Sequence, residues 1–453
     1  MKIYQPAIAS CLFAALGLVI AQPVRADQYL RLYDPATLNN ATFSLADALT
    51  QATKSNLTLR EMQSAVRLAN ASTRAAEAMT KPSVSTTVYG TLGDSSNILT
   101  NSPGVSPQNI FSVPPHGFAD FDLTLMAPLS TGGKLNDAVD SAKMQSEAAG
   151  FDVQASQLTV SELVTESYVN AVLDVALVDV AKARVAAEDE QVRVTQEKVT
   201  TGRSAPVELL REQAEQADAD QGVLNANNDV ALALVSLKSA LGISQNSQIV
   251  PSDTLESLSG DVTTSIPSMA DALRAAEIHR PELSAARAMI ESAQAEINQV
   301  RGSYRPQIYG VAMGDLMSGQ GSTRAGYTIG VTASLPLYEG GGRKADVDAA
   351  TARQQRSDED AQQARQSVDA ETASAWLNLQ TAMSQVQVAT AGVTAAQESY
   401  TLSNLRYNAG KSVVADRLDA LSALTRAQGA LAQAKASSII ARCKLAVAMG
   451  ATH

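Results

Sequence analysis

The chain has 453 residues, a net charge of −11, and a composition that is 45% hydrophobic but 4% aromatic. The acidic balance argues against a broad basic surface of the kind that binds nucleic acid or an anionic membrane. Two cysteines and three histidines leave few ligands for a metal centre. The scarcity of large aromatic side chains gives little bulk for one thick globular core.

The first residues have the pattern of a secretory signal. Lys2 precedes an apolar stretch over Ala7–Ala21, and the small residues Val24 and Ala26 follow at a cleavage position. The apolar stretch is about 15 residues long, shorter than the roughly 20 that a spanning helix needs. We therefore predict a cleaved signal peptide over residues 1–26 rather than a membrane anchor, followed by an N-terminal extension over 27–43.

The sequence from position 44 onward contains an internal repeat. Ser44–Leu49 recurs as Ser268–Leu273 at an offset of 224 positions, whereas Gly202 recurs as Gly410 at an offset of 208. The difference of 16 residues falls where the first copy carries the Pro- and Asn-rich segment Asn101–His116. An insertion of this size is tolerated in an exposed loop. The predicted organisation is a first repeat over 44–242, an inter-repeat linker over 243–267 and a second repeat over 268–450.

Each copy is expected to open with one helix. Ser44 is a good N-cap with Asp47 three residues later, and the second copy repeats the pair as Ser268 and Asp271. The residue before a proline disfavours helical geometry. The opening helices are therefore predicted to end just before Pro82 and Pro306, which would mark the junctions with the strands that follow.

Two strands are predicted after each opening helix. Apolar and polar residues alternate, as in Phe121, Leu123 and Leu125 against Asp120 and Asp122. The third strand is less regular, because it is apolar on both sides. The four strands are placed near residues 83–92, 120–128, 307–316 and 326–335, and about ten residues is the length that a tilted strand needs to cross a bilayer.

Prolines and glycines mark the end of each strand pair, and a long helix and a return helix follow. The predicted strand–helix junctions are Pro128 with Gly133 and Pro336 with Gly341. Helices over Lys134–Thr200 and Arg343–Asn408 would each be about 100 Å long. The return helices are predicted to end at Gly242 and Gly450, since glycine is a common stop just past the last apolar residue of a helix.

Four strands in one chain are too few to close a barrel, since small barrels need about eight. Open strand edges in lipid would leave N–H and C=O groups without partners. If the strands lie in a membrane, other copies of this chain must complete the barrel, and three copies would supply twelve strands. A free coiled coil, the simplest alternative for such long helices, would not account for the strands.

The repeated pattern resembles the TolC-like outer-membrane efflux protein family over nearly all of Ser44–Gly450. The family markers stand here as Arg280–Leu283, Tyr304–Pro306, Pro336–Tyr338 with Gly340–Gly341, and Leu405–Gly410. The resemblance implies a mostly α fold with a β membrane part. A homotrimer would form a 12-stranded β-barrel in the lipid of the outer membrane, continuous with an α-helical barrel in the periplasm. It also implies a periplasmic adaptor protein and an inner-membrane pump or ABC transporter as partners.

The resemblance places the functional residues at the helix tips. Gly202, Arg203 and Gly410 would form the periplasmic tip that contacts the adaptor. Tyr407 and Lys411 would belong to the gate, although a basic residue often found two places after the tip glycine is Ser412 here.

Asp416 and Asp419, together with Glu208 of the first copy, would ring the pore entrance, where carboxylates attract cations. From the residues alone, a solvated helix face is the alternative for these carboxylates. Arg417 lies between the two aspartates in sequence and is expected to neutralise them in part.

The function implied is a channel subunit that exports solutes as the exit duct of a tripartite efflux or type I secretion system, without a cofactor or metal. The alternative is a soluble periplasmic coiled-coil scaffold or adaptor. An enzyme is disfavoured, because His116, His279 and His453 share no metal-ligand spacing and Gly340–Gly342 lacks the ending of a phosphate-binding loop. Cys443 is the one cysteine left after signal removal, so no intramolecular disulfide is expected.

Overall fold

A computed structural model describes residues 41–91, 118–260, 266–319 and 322–451. The predicted signal peptide, most of the predicted N-terminal extension and the Asn101–His116 segment lie outside the described residues. Within those four ranges, none of the helices combines the length and the apolar character that crossing a bilayer requires.

The described elements fall into two series with the same order, helix, helix, strand, strand, long helix and return helix. The long helices of the two series have 67 residues each, and the return helices have 36 and 35. The first series, with the short strand before it, comprises β1 (Ala41–Phe43), α1 (Leu45–Ser55), α2 (Leu57–Met79), β2 (Ser83–Thr91), β3 (Phe118–Ser130), α3 (Lys134–Thr200) and α4 (Pro206–Leu241). The rest comprises β4 (Ile249–Pro251), α5 (Leu255–Ser259), α6 (Met269–His279), α7 (Pro281–Gly302), β5 (Gln307–Gly319), β6 (Ser322–Ser334), α8 (Gly342–Asn408) and α9 (Val414–Ala448).

The opening helix of each series is broken, which corrects the prediction of one continuous helix before Pro82 and before Pro306. At the first break Asn56 has extended backbone, and its side-chain oxygen accepts hydrogen bonds from the N–H groups of Thr58 and Leu59 at the start of α2. At the second break Pro281 is the first residue of α7, which disfavours helical geometry at Arg280.

Both breaks pack against the ends of return helices. The Asn56 amide donates to the carbonyl of Ala240 at 2.9 Å, and the Arg280 guanidinium donates to the carbonyl of Val447 at 3.3 Å. Gly242 has a φ of +68°, and a Cβ there would lie 2.7 Å from the carbonyl oxygen of Ser55. Position 242 therefore needs glycine for two reasons: its backbone is left-handed, and the backbone of the helix break at Ser55 and Asn56 approaches it closely.

The four long strands form an antiparallel sheet in the order β2-β3-β5-β6. Its register places Val84, Leu125, Ala312 and Ile329 in one row across the sheet. The face that contains this row is apolar and exposed, with Val88, Phe121, Leu123 and Val331 on it as well. In the described part of one chain β2 and β6 each pair on one side only. One chain thus presents an apolar sheet face and two open strand edges.

The strand ends refine the junctions predicted from proline. β3 continues past Pro128 to Ser130, with a register irregularity between these two residues. Proline lacks the N–H that a regular ladder would need, and an irregularity absorbs that loss. Pro82, Pro306 and Pro336 lie outside the strands.

Helix α3 lies at the centre of the helical part, in contact with α2, α4, α7 and α9. Tyr168 in α3 is buried, and its hydroxyl group donates to the carbonyl of Phe43 at 2.7 Å and lies 2.8 Å from a carboxylate oxygen of Asp253. Burial, followed by the bond with Asp253, raises the pKa of Tyr168 to about 12. Asp253 lies between β4 and α5, so the predicted linker 243–267 contains ordered elements that pack against the long helix.

Candidate functional site at the helix tips

The turns between each long helix and its return helix have the same geometry. Gly202 and Gly410 have φ values of +72° and +71°. The N–H of the following residue, Arg203 or Lys411, donates back to the carbonyl of Lys198 or Arg406. This bond pattern with a left-handed glycine is a Schellman stop, so each glycine is needed for backbone conformation. Arg203 and Lys411 are exposed.

Asp416 and Asp419 are both exposed at the start of α9. Asp416 accepts a hydrogen bond from the hydroxyl group of Ser412 at 2.6 Å, and in α4 Glu208 accepts one from Ser204. A carboxylate in the first turn of a helix is stabilised by the helix dipole. Asp416 and Glu208 therefore order their own turns as well as adding negative charge to the tips.

Arg417 does not neutralise Asp416 and Asp419, which corrects the expectation from the sequence. Its side chain is 1% exposed, and its Nη2 atom lies 3.1 Å from Glu188 and 2.5 Å from Glu212. Helix α9 presents Val414, Arg417 and Leu421 to the interior, a spacing of three and four that defines one helix face. The two aspartates lie on the other side of the helix and are not paired with Arg417.

The cluster of Glu188, Glu212 and Arg417, here called the acidic–arginine cluster, was not predicted from the sequence. Glu188 belongs to α3 and Glu212 to α4, and both side chains are buried. Burial raises the pKa of Glu212, opposed by attraction to Arg417 and reinforced by repulsion from Glu188. One signal in the sequence could have revealed it. Arg417 lies three residues after Val414 and four before Leu421, so it shares a helix face with these two apolar residues.

Each long helix and its return helix form a helical hairpin, α3 with α4 and α8 with α9. Tyr407 of the second hairpin packs against the first. It is 7% exposed, in the last turn of α8, and the Nζ atom of Lys198 lies 4.6 Å from the centre of its ring. The same Nζ atom is 3.4 Å from the Oδ1 atom of Asn408. Burial raises the pKa of Tyr407, and a side-chain hydrogen bond with Thr195 opposes that rise. Tyr407 therefore contributes to holding the tip of α8 against α3.

The two strand–helix junctions differ in their surroundings. Gly133 and Gly341 are the N-caps of α3 and α8, with φ values of +94° and +91°. Beside Gly133, the Arg305 guanidinium donates to the carbonyl of Gly132 at 3.0 Å. A Cβ at Gly341 would meet nothing within 4 Å in the described chain. The first junction is therefore covered by the second series, whereas the second junction is open.

The described residues contain no group of three or more His, Cys, Asp or Glu side chains arranged to hold a metal ion. Cys443 is a free thiol buried between Leu158 and Val447. Burial raises the pKa of its thiol.

The comparison with known families decides the identity of this architecture. The model of the outer membrane efflux protein family matches residues 48–243 and 272–451. The chain belongs to the outer membrane efflux protein family. The two matched stretches contain nearly all of α1 to α4 and nearly all of α6 to α9, so the family model matches the two series separately and skips β4 and α5.

Solved structures of three membrane proteins have the same fold as this efflux protein. CusC gives a TM-score of 0.75 at 18% identity, covering 92% of this chain and 96% of CusC. VceC from Vibrio cholerae gives 0.73 at 18% identity, covering 90% of this chain and 96% of VceC. The open-state MtrE channel from Neisseria gonorrhoeae gives 0.71 at 19% identity, covering 90% and 89%.

Two relatives match this efflux protein over part of their length. Nodulation protein T from Rhizobium leguminosarum bv. trifolii is 24% identical over 305 residues, which is 65% of this chain and 64% of that protein. The nickel-cobalt-cadmium resistance protein NccC from Alcaligenes xylosoxydans xylosoxydans is 23% identical over 235 residues, which is 51% and 50%. The chain thus spans between half and just under two thirds of the length of these relatives.

Proposed function

We propose that this chain is one of three identical subunits of an outer-membrane channel. The channel exports solutes as the exit duct of a tripartite efflux or type I secretion system. The observation that carries the proposal is a sheet with one exposed apolar face, joined directly to helices of 67 residues, about 100 Å each. The apolar face suits lipid, and the helices are long enough to extend far into the periplasm.

The open strand edges support assembly with further copies. In lipid the unpaired N–H and C=O groups of β2 and β6 need partners. The sequence offsets make β6 equivalent to β3 and β2 equivalent to β5. Leu125 of β3 pairs with Ala312 of β5 within one chain. The equivalent residues are Ala333 of β6 and Val88 of β2, so we expect Ala333 of one chain to pair with Val88 of the next. Three chains joined in this way form a closed barrel of twelve strands.

The open junction at Gly341 supports the same arrangement. Within one chain, Arg305 of the second series covers Gly132 of the first. The equivalent residues are Lys81 and Gly340, and Lys81 is exposed in one chain. We place Lys81 of one copy over Gly340 of its neighbour, so that each strand–helix junction in the trimer is covered once.

Disulfide cross-linking tests this register. The pair Val88→Cys and Ala333→Cys is expected to link neighbouring chains into covalent dimers and trimers under mild oxidation, because cross-strand side chains lie within reach of one another. The matched control pairs Ala333→Cys with Thr87→Cys, which points to the opposite face of the sheet. Equal cross-linking of both pairs, or none in either, would contradict the proposed barrel.

The tip residues have the following roles in this proposal. Three copies of Asp416 and Asp419, with Glu208 nearby, surround the pore entrance and favour cations. Tyr407 and Lys411 hold the resting entrance closed. Gly202, Arg203 and Gly410 form the surface that meets a periplasmic adaptor, which links the channel to an inner-membrane pump or ABC transporter.

Conductance and fractionation test the function itself. Purified protein is expected to insert into planar bilayers and to give discrete channel conductance, and cells are expected to hold it in the outer-membrane fraction as a trimer. A monomer released by osmotic shock and inactive in bilayers would favour the alternative, a soluble periplasmic scaffold or adaptor, and would reject the channel.

A further inference from the structure

The acidic–arginine cluster joins three helices with an unbalanced charge. Glu188 of α3 and Glu212 of α4 both approach the Nη2 atom of Arg417 of α9, and the three side chains are 1%, 0% and 1% exposed. Two carboxylates face one guanidinium, so the ionised cluster carries one net negative charge away from water. Buried charges are costly unless they are fully paired and hydrogen-bonded.

The hydrogen bonds of the cluster are incomplete. Among the described residues, the Oε1 atom of Glu212 and the Nε atom of Arg417 have no hydrogen-bond partner. A neutral carboxylic acid at Glu212 would remove the excess charge and still leave one Glu–Arg ion pair. A proton on the Oε1 atom of Glu212 would remove this excess charge without displacing the contact between Oε2 and Arg417.

The groups that face Glu212 come from every helix around it. Glu188 and Gln191 of α3, Arg417 of α9 and Tyr407 of α8 interact with Glu212, and a side-chain hydrogen bond with Gln191 lowers its pKa. Glu208 is one turn earlier on α4. The basic side chain of Lys198 is held at the Tyr407 ring and Asn408. Arg417 is therefore the cation that the described structure provides for both carboxylates.

We propose that the acidic–arginine cluster is a proton-binding site, with the proton on Glu212, that attaches α9 more firmly to α3 and α4 as the surroundings become acidic. The site is separate from the proposed pore entrance, since Asp416 and Asp419 are exposed on the other side of α9. The proposal goes beyond the proposed channel function and does not depend on it, because the attachment of α9 is measurable in the protein itself.

The direction follows from linkage between protonation and attachment. Burial raises the pKa of Glu212 in the attached state, whereas detachment of α9 would expose the group to water and restore its ordinary pKa. The attached state therefore binds the proton more tightly. Between the ordinary and the raised pKa, each unit of falling pH shifts the equilibrium toward attachment by up to about tenfold.

Hydrogen exchange of the purified full-length trimer between pH 5 and pH 8 tests the proposal. Exchange rates are corrected for the intrinsic effect of pH and read at the amides of residues 414–424 in α9. Wild-type protection is expected to rise as the pH falls, by up to about tenfold per pH unit. Glu212→Gln imitates the protonated acid and is expected to give high protection that no longer depends on pH.

Two further variants separate the proton site from a merely structural role. Arg417→Met removes the cation that holds the pKa of Glu212 down, so the rise in protection is expected to move to higher pH. Glu190→Gln, an exposed change close to Glu188 on α3, is the matched control and is expected to keep the wild-type response.

The outcomes are distinct. Wild-type protection that is flat with pH, or a pH response that survives in Glu212→Gln, overturns the proposal. A response abolished by Glu188→Gln instead of Glu212→Gln overturns the assignment of the proton to Glu212.

Discussion

Arg280 holds the corner between α6 and α7 together. Its side chain is 7% exposed and bonded to Glu282, Glu371 and the carbonyl of Val447. We expect Arg280→Met to lower the free energy of unfolding by about 2 kcal/mol, less than for a fully buried pair because both glutamates are partly hydrated. Denaturant titration followed by circular dichroism measures the change.

The control for this change is Arg274→Met on α6. Arg274 is 72% exposed and pairs with Asp271 on the surface, so its loss is expected to cost less than about 0.5 kcal/mol. Equal effects of the two variants would mean that Arg280 contributes no more than a surface ion pair.

Two glycines of α4 offer a matched pair of substitutions: Gly222 lies inside the helix, and Gly242 follows its last residue. Gly242→Ala forces a left-handed alanine whose Cβ would meet the carbonyl of Ser55, so a loss of about 2–3 kcal/mol is expected. Gly222 lies inside the helix with open space around it, and Gly222→Ala is expected to stabilise by about 0.5–1 kcal/mol. Thermal melting of both variants checks the opposite signs, and a loss in both would contradict the argument.

At the residue scale, the sequence predicts positions that need special backbone conformations better than it predicts where side chains point. Gly202 and Gly410 could be placed at turns, since glycine tolerates positive φ. Arg417 was expected beside the aspartates because it lies between them in sequence. Arg417 instead shares the buried helix face of Val414 and Leu421. Its burial is possible because two glutamates far away in sequence pair with it.

At the element scale, alternation located the strands because one sheet face is apolar and the other is mostly polar. β5 gave the weakest pattern, and the register explains it: Val311, Met313 and Met317 lie on the face that is mostly polar in the other strands. Both helix breaks were missed, the one at Pro281 although a proline marks it, and the one at Asn56 because asparagine inside an apolar pattern gives a weak signal. What decides the break at Asn56 is the side-chain cap and the contact with Ala240, which only the fold brings together.

The two sheet faces differ in the substitutions they should tolerate. Ile329 lies on the exposed apolar face and Thr328 beside it on the opposite face. If the apolar face meets lipid, Ile329→Arg is expected to cost about 2–4 kcal/mol near the middle of the bilayer and to reduce the yield of trimers. Thr328→Arg is the control and is expected to assemble normally. Trimer yield from isolated outer membranes, measured on non-denaturing gels, compares the two.

At the scale of the whole molecule, the matched lengths of α3 and α8 follow from an uninterrupted sequence between glycines. If the sheet lies in lipid, the sequence also predicts partner chains, because four strands cannot satisfy their own edges. Contacts between the two hairpins do not follow in the same way. Tyr407 with Lys198, and Arg417 with Glu188, join residues about 200 positions apart, so their pairing depends on how the hairpins dock.

Tyr407 tests whether the docking of the two hairpins controls the channel. Tyr407→Ala removes the ring under Lys198 and the hydrogen bond with Thr195, so the closed-state conductance is expected to rise several-fold. Tyr407→Phe keeps the ring and is expected to have a smaller effect. Tyr400→Ala, about two turns earlier on α8, is the control. Single-channel recording measures all three, and unchanged conductance in Tyr407→Ala would remove the tyrosine from the gate.

Asp416 and Asp419 test whether the assembled tips form an electrostatic entrance. Neither aspartate is paired with Arg417, so three chains would place six largely uncompensated carboxylates around one opening. The double change to asparagine is expected to reduce cation selectivity and to weaken block by multivalent cations at least tenfold, because a ring of charge acts on every passing ion. Asp220→Asn, about 21 Å along α4 from the first residue of that helix, removes one negative charge per chain away from the tip and is expected to leave block unchanged. Reversal potentials and block titrations in bilayers distinguish the two, and block that persists in the double variant would make these carboxylates a solvated helix face.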